Sequence, residues 1–224
     1  MSSALPSSDR NAGLVRIDTG DVTLEGNLLV PRGATGVVVF AHGSGSSRFS
    51  SRNRYVAQVL RQGGLGTLLI DLLTAPEEAI DERTRHLRFD IGLLADRLAG
   101  ATKWLAARPD TRDLRVGLFG ASTGGGAALV AAARLPERIG AVVSRGGRPD
   151  LAGPSLPQVK APTLLIVGGN DVPVIAMNRE AYEQMTAERR MEIVPGASHL
   201  FEEPGTLEKV AQLARDWFAK YLSR

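Results

Sequence analysis

Residues 117–129 read GLFGASTGGGAAL: an apolar run closes on a serine set among glycines, and a run of small apolar residues follows. Upstream, LRVGLFGAS at 114–122 is continuously apolar, the pattern of a strand buried on both faces. Downstream, AALVAAARL at 127–135 is rich in good helix formers. The stretch therefore predicts a strand, a sharp turn at Gly120-Ala121-Ser122-Thr123-Gly124 and a helix, with the spacing G-x-S-x-G at the turn. In that context the serine sits on a nucleophile elbow, lifted into a cleft with free helix N–H groups pointing at it.

The surroundings repeat the alternation. GVVVFAHG, GTLLIDLL, AVVSRGG, PTLLIVGGND and MEIVPGASH each begin apolar and end in glycine or polar residues. Helical patterns lie between them near 52–62, 90–107, 122–134, 174–188 and 205–222, the clearest carrying Ile91, Leu94, Leu98 and Leu105 before Pro109. LVRID and VTLEGNLLVP add two strands joined at Thr19-Gly20-Asp21. These elements predict an α/β fold, a doubly wound and mostly parallel sheet of about eight strands flanked by helices. Ligands in such sheets bind beyond the carboxyl ends of the strands, where this chain places its polar residues.

A chain of 224 residues, 43% of them hydrophobic, fits one domain over 14–224, preceded by a serine-rich flexible tail at 1–13 that reads as no secretory signal. A net charge of +3 and 5% aromatic residues give no basic stripe or stacking platform, so nucleic acid is not an expected partner. No apolar run is long enough for a membrane span, and a cytoplasmic protein is expected. With no cysteine, neither a thiolate nucleophile nor a cysteine-ligated metal is available. No metal or organic cofactor is expected; the sequence leaves homo-oligomerisation open.

A serine hydroxyl needs a positioned base, and the base needs an acid to fix its tautomer. Three histidines are present, His42, His86 and His199. His199 ends the last strand pattern and is the candidate base. Asp171, at the end of LLIVGGND, stands 49 residues after Ser122 and 28 before His199 and is the candidate acid. The chain order Ser, Asp, His is that of an α/β-hydrolase. Taken singly, Ser122 and Asp171 are also acceptable helix caps, with Pro173 just inside the helix after Asp171. His42 is read as structural, bonding loop backbone, and His86 as a solvated surface residue. Asp71 and Asp90 are read as salt-linked to Arg83, Arg85 and Arg88 in the excursion at 74–89.

AHGSGSS, GASTGG, GGNDVPV and GASHLF, in this order on these elements, resemble the α/β-hydrolase fold superfamily and within it the small lidless dienelactone hydrolase-like branch. The resemblance runs from about residue 26 to the C-terminus. Serine stands here where dienelactone hydrolases carry a cysteine nucleophile, so their lactone substrate is not carried over. The stretches DLLTAPEEAIDERTRHLRFDI and SRGGRPDL are similar to bacterial hydrolases that sometimes occur joined to a phosphoribosyltransferase domain, which is not expected within these residues. The resemblance implies an oxyanion hole from the backbone N–H groups of Thr123 and Ser44. With the residues read above, it points to a carboxylesterase-like enzyme acting through Ser122, His199 and Asp171, and the open cleft expected below favours a small or polar ester.

Arg145, just past a strand end, is either a loop arginine paired locally or a fork for an anionic substrate group. Residues 148–161 are too few for a cap domain, so the cleft is expected to be open and partly shaded by residues 74–89. Two other classes compete. Gly120, Gly124, Gly125 and Gly126 could seat the phosphates of NADP with Arg145 nearby, as in a Rossmann-like protein, or the fold could be catalytically silent and serve as an interaction module.

Overall fold

The computed structural model describes residues 13–223, so the expected tail at 1–13 lies, but for Gly13, outside the described residues. Eight strands form one sheet in the order β1-β2-β4-β3-β5-β6-β7-β8. They are β1 Leu14–Asp18, β2 Thr23–Leu29, β3 Gly36–Ala41, β4 Gly66–Ile70, β5 Arg115–Ala121, β6 Ile139–Arg145, β7 Thr163–Gly168 and β8 Arg189–Val194. β1–β2 and β2–β4 pair antiparallel; all other neighbours are parallel.

Burial follows the sequence pattern. Every residue of β3, β4 and β7 is buried, as continuous apolar runs require, whereas β1 and β2 mix buried and exposed positions. The turn expected at Thr19–Asp21 is present, with Gly20 at φ +98° where a side chain would be strained.

Helices cover both faces. The α-helices are α1 Ser51–Gln62, α2 Ala75–Thr84, α3 Ile91–Ala107, α4 Thr123–Arg134, α5 Val172–Gln184 and α6 Thr206–Leu222. One face of the sheet packs Val39, Leu118 and Val142 against Leu98 of α3 and Leu129 of α4. The other packs Phe40, Phe119 and Val143 against Leu60 of α1 and Phe218 of α6. Each such fully buried side chain is worth about 1.5–3 kcal/mol relative to exposure.

Three segments differ from the sequence reading. The excursion at 74–89 contains α2, which has no apolar periodicity because Asp81 is its buried residue. A capping box starts the helix: the Thr74 hydroxyl accepts from Glu77 N, and Glu77 accepts from Thr74 N at 2.7 Å. Asp81 then accepts from the Leu87 and Arg88 amides and from the Arg88 guanidinium, folding the segment back on itself. The helix expected to reach residue 188 stops at Gln184, because Met185 turns to extended backbone and buries its side chain. Residues 149–158 wind as 3₁₀ turns that bury Ala152 and Leu156.

Candidate active site

β5 gives way to α4 through a single residue, Ser122, held at φ 52°, ψ −123°. A non-glycine residue at such a φ is strained, and strain of this kind persists only where the surroundings fix it. Here Ser122 N donates to Arg145 O at 3.3 Å, while its carbonyl accepts from Gly125 N at 2.9 Å and Arg148 N at 3.0 Å. The glycines of the motif have steric causes. A Cβ on Gly120 would lie 2.4 Å from Gly124 O, and one on Gly124 would lie 2.3 Å from Ala41 O. Although Ser122 occupies the N-cap position of α4, its side chain makes no capping bond. A Cβ at Gly43 would come within 3.0 Å of Ser122 Cβ, so the serine side chain faces the loop that follows β3.

Asp171 likewise occupies the N-cap position of α5 without capping it. Its carboxylate is instead 2.6 Å from His199 Nδ1. With that oxygen accepting, Nδ1 carries the proton and Nε2 presents its lone pair, the tautomer assigned from the bond. The loop around His199 is pinned at several points. Asn170 N donates to Ala197 O at 2.9 Å and Asn170 Nδ2 to Gly196 O at 2.9 Å. Ser198 N donates to Glu203 at 3.0 Å, and this bond, with the Ser198 hydroxyl, holds the Glu203 carboxyl below its ordinary range. A Cβ on Gly146 would lie 3.6 Å from His199 Cε1, which sets the imidazole over the end of β6, the neighbour of β5. The Ser122 hydroxyl and His199 share no hydrogen bond in this structure; such bonds commonly close only once substrate is bound.

Thr123 and Ser44, the expected oxyanion donors, lie together: Ser44 N donates to Thr123 Oγ1 at 3.0 Å. The Ser44 amide is thus already engaged, and an oxyanion would have to share it with the Thr123 hydroxyl or replace that hydroxyl. This role for a threonine side chain was not read from the sequence, where Thr123 counted only as backbone. His42 secures the same loop, as expected. Its Nε2 accepts from Leu72 N at 3.1 Å and its Nδ1 lies 2.9 Å from Gly43 O. Burial pushes its pKa below the ordinary histidine value. His86 is exposed, as expected, and touches the Thr84 hydroxyl at 2.7 Å.

Beyond Ser44 the loop borders a cleft of about 730 Å³ that runs from Gly45–Ser50 to Thr74–Glu78, so the excursion forms part of its wall. Arg48 spans the cleft between Asp71 and Glu25. The expected pairing of Asp71 and Asp90 with the arginines of the excursion is corrected here. Asp71 pairs with Arg48, Asp90 caps α3 by accepting from Leu93 N at 2.9 Å, and the excursion's own Asp81 takes Arg88. Arg145 is buried and has no local carboxylate partner. Among the described residues, no group of three or more histidine and carboxylate side chains could hold a metal ion, and no helix is long and apolar enough to cross a membrane.

Residues 24–223 match the model of the dienelactone hydrolase family. The chain belongs to that family. Its fold is the α/β-hydrolase fold, without a cap domain among the described residues. This dienelactone hydrolase family member is 70% identical to the crystal structure of dienelactone hydrolase from Anabaena variabilis, with TM-score 0.92 over 93% of this chain and 97% of that one. Est1E from Butyrivibrio proteoclasticus shares the fold at TM-score 0.78 and 15% identity, over 94% of this chain and 99% of its own. Over 208 residues, 93% of the chain, it is also 60% identical to proteins of two Mycobacterium tuberculosis strains provisionally named phosphoribosyl transferases. The chain spans about half the length of those relatives, 46%.

Proposed function

We propose that this family member is a serine hydrolase that cleaves small or polar esters, carboxylesterase-like, through an acyl-enzyme on Ser122. The observation that carries the reading is the 2.6 Å contact between His199 Nδ1 and an Asp171 carboxylate that caps nothing, set over the strand end beside a serine at φ 52°. In the first step His199 Nε2 takes the Ser122 proton as Oγ attacks the ester carbonyl, and Asp171 stabilises the imidazolium. The Thr123 N–H at the start of α4 holds the developing oxyanion, joined by the Ser44 N–H as the carbonyl oxygen displaces the Thr123 hydroxyl from it. The imidazolium returns the proton to the leaving alcohol. Water then attacks the acyl-enzyme with His199 again as base, releasing the acid and free Ser122.

The dinucleotide reading is disfavoured by packing. The space in front of Gly124 and Gly126 is taken by Ala41 O and Arg148 O, at 2.3 and 2.8 Å from an added Cβ, where a pyrophosphate would need open backbone. The name phosphoribosyl transferase belongs to proteins about twice as long, and the elbow and the Asp–His pair lie within the residues covered by the family match. A catalytically silent interaction module gives no reason for a strained serine with an unbonded hydroxyl. A cytoplasmic setting and the absence of nucleic-acid partners remain part of the proposal.

Labelling with an uncharged fluorophosphonate tests it. Wild type is expected to be labelled and Ser122→Ala to lose the label while melting cooperatively. Equal labelling of both proteins, or none of wild type, overturns the assignment.

A further inference from the structure

The cleft of about 730 Å³ opens one residue beyond the loop amide that faces the nucleophile turn. Ser44 presents its N–H beside Thr123, and Gly45, the next residue, already lines the cleft. The opposite wall is the chain after β4, Asp71 and Leu73–Pro76. His42 ties the two walls together, because its Nε2 accepts from Leu72 N at 3.1 Å. Arg88 brings the excursion against Gly45, where an added Cβ would lie 3.3 Å from Nη1.

The sheet order gives the cleft a direction. β3 and β6 flank β5. The cleft therefore lies on the β3 and β4 side of Ser122, and His199, set over the end of β6, lies on the other. In the acyl-transfer chemistry the leaving oxygen must face His199 to receive its proton, and the oxyanion must face the Ser44 and Thr123 amides. The acyl chain then runs away from the base, toward the cleft.

The lining says what such a chain should carry. Arg48 is paired with Glu25 and Asp71 across the cleft. Glu78 of α2 and Arg16 of β1 also line it, and among the described residues neither makes a hydrogen bond or ion pair. Ser46 and Thr23 add hydroxyls. The Phe49 ring, 41% exposed and backed by the Arg48 guanidinium at 4.4 Å, adds one apolar face. A carboxylate only accepts hydrogen bonds and a guanidinium only donates them, whereas an alcohol does both. An alkyl chain entering the cleft would strip water from Glu78 and Arg16 and return nothing; a hydroxylated chain would replace that water. With two cations and three carboxylates in the lining, neither an anionic nor a cationic chain has the advantage.

We infer that this cleft is the acyl subsite and that it selects polyhydroxylated acyl groups, so the favoured substrates are esters of sugar-acid-like hydroxy acids with simple alcohols. This rests on the reading of Ser122 as nucleophile. Hydrolysis adds water across the acyl–oxygen bond and releases the hydroxy acid and the alcohol.

The test compares methyl esters of one ring: cyclohexanecarboxylic acid, its tetrahydroxy relative quinic acid, and its para-amino derivative. Wild type is expected to favour methyl quinate over the plain ring by about 10-fold or more in kcat/KM, the scale of a hydrogen bond to a charged group. Glu78→Ala and Arg16→Met should each lower that ratio about 10-fold, chiefly through KM, and Glu78→Gln should lower it less, because an amide oxygen still accepts. Propyl butyrate and glycerol monobutyrate, which carry the hydroxyls on the alcohol side, should differ little. A larger gain there than with quinate overturns the acyl assignment. A wild-type ratio near one, a preference for the amino ester, or a ratio unchanged in cooperatively melting Glu78→Ala and Arg16→Met overturns the subsite alone, provided that Ser122 still labels. Binding is read apart from turnover by calorimetric titration of methyl quinate into Ser122→Ala, with and without Glu78→Ala. Binding that depends on Glu78, in a protein whose wild type neither labels nor cleaves esters, supports the cleft as a polyol site and overturns the nucleophile.

Discussion

The two buried arginines among the described residues sit in opposite surroundings: one joins elements of the scaffold, the other stands beside the proposed nucleophile. Arg97, inside α3, reaches Asp21 in the β1–β2 turn at 2.5 Å and Glu77 in the first turn of α2 at 2.7 Å. One cation thereby ties three elements together, and Glu77 also closes the capping box. With the Thr19 hydroxyl first and Arg97 after it, Asp21 is held below its ordinary carboxyl pKa. Arg145 is buried almost as deeply but answers to no carboxylate, and it adjoins a strained serine and an Asp–His pair. Arg97 has both terminal nitrogens paired, although the Nε of each of the two arginines is buried without a partner.

The contrast can be broken at several points. The largest effect is expected at the serine: Ser122→Ala or His199→Gln should lower ester kcat/KM by about 10⁴- to 10⁶-fold. Neither should lower the melting temperature by more than a few degrees. Retention of a tenth of wild-type activity would remove the chemical region from the comparison. At Arg97 the sign is reversed. Arg97→Met removes the cation that joins α3, the β1–β2 turn and α2 and should cost about 2 kcal/mol, roughly 4–8 °C in Tm for a domain of this size, measured by calorimetry. An unchanged Tm would show that burial of that cation is not structural.

Arg145→Met should shift stability by less than about 1 kcal/mol, because no ion pair is lost and an unpaired charge is removed. A loss as large as that of Arg97→Met would reveal a structural partner and erase the difference. The smallest effect concerns His42. Its folded pKa is depressed, so the unfolded chain binds the extra proton first. The stability that His42 contributes is complete above the ordinary histidine value of about 6.5 and declines as pH falls through and below it. The slope is at most about 1.4 kcal/mol per pH unit for one proton. Denaturant titrations of wild type and His42→Gln at pH 7.5 and 5.5 should show a weaker pH dependence in the variant; parallel curves would mean that the Gly43–Ser44 loop does not depend on a neutral imidazole.

Legibility tracked the origin of each feature. β3, β5 and β7 were readable because burial on both faces forces unbroken apolar runs, and the elbow because its glycines are demanded by backbone at 2.3–2.4 Å. α2 was not readable, because a capping box and one buried aspartate, rather than an apolar stripe, hold it. For the same reason Asp71 and Asp90 were given the wrong partners. Ion pairs depend on which loops meet, and Arg48 reaches Asp71 from a segment 23 residues away. Asn170 adjoins Asp171, and the structure separates their roles: its amide holds the Gly196 carbonyl while the aspartate turns to His199.

The sequence by itself determined the order of strands and helices, the turn at Ser122 and which residue types were available for chemistry, because hydrophobic periodicity and glycine sterics act locally. Only the tertiary structure decided that Asp171 reaches His199 instead of capping α5, that the Thr123 hydroxyl occupies the Ser44 amide, and that Arg145 is buried with no counter-charge. Those outcomes depend on the meeting of side chains distant in the chain, and no local pattern encodes a neighbour that arrives from another strand.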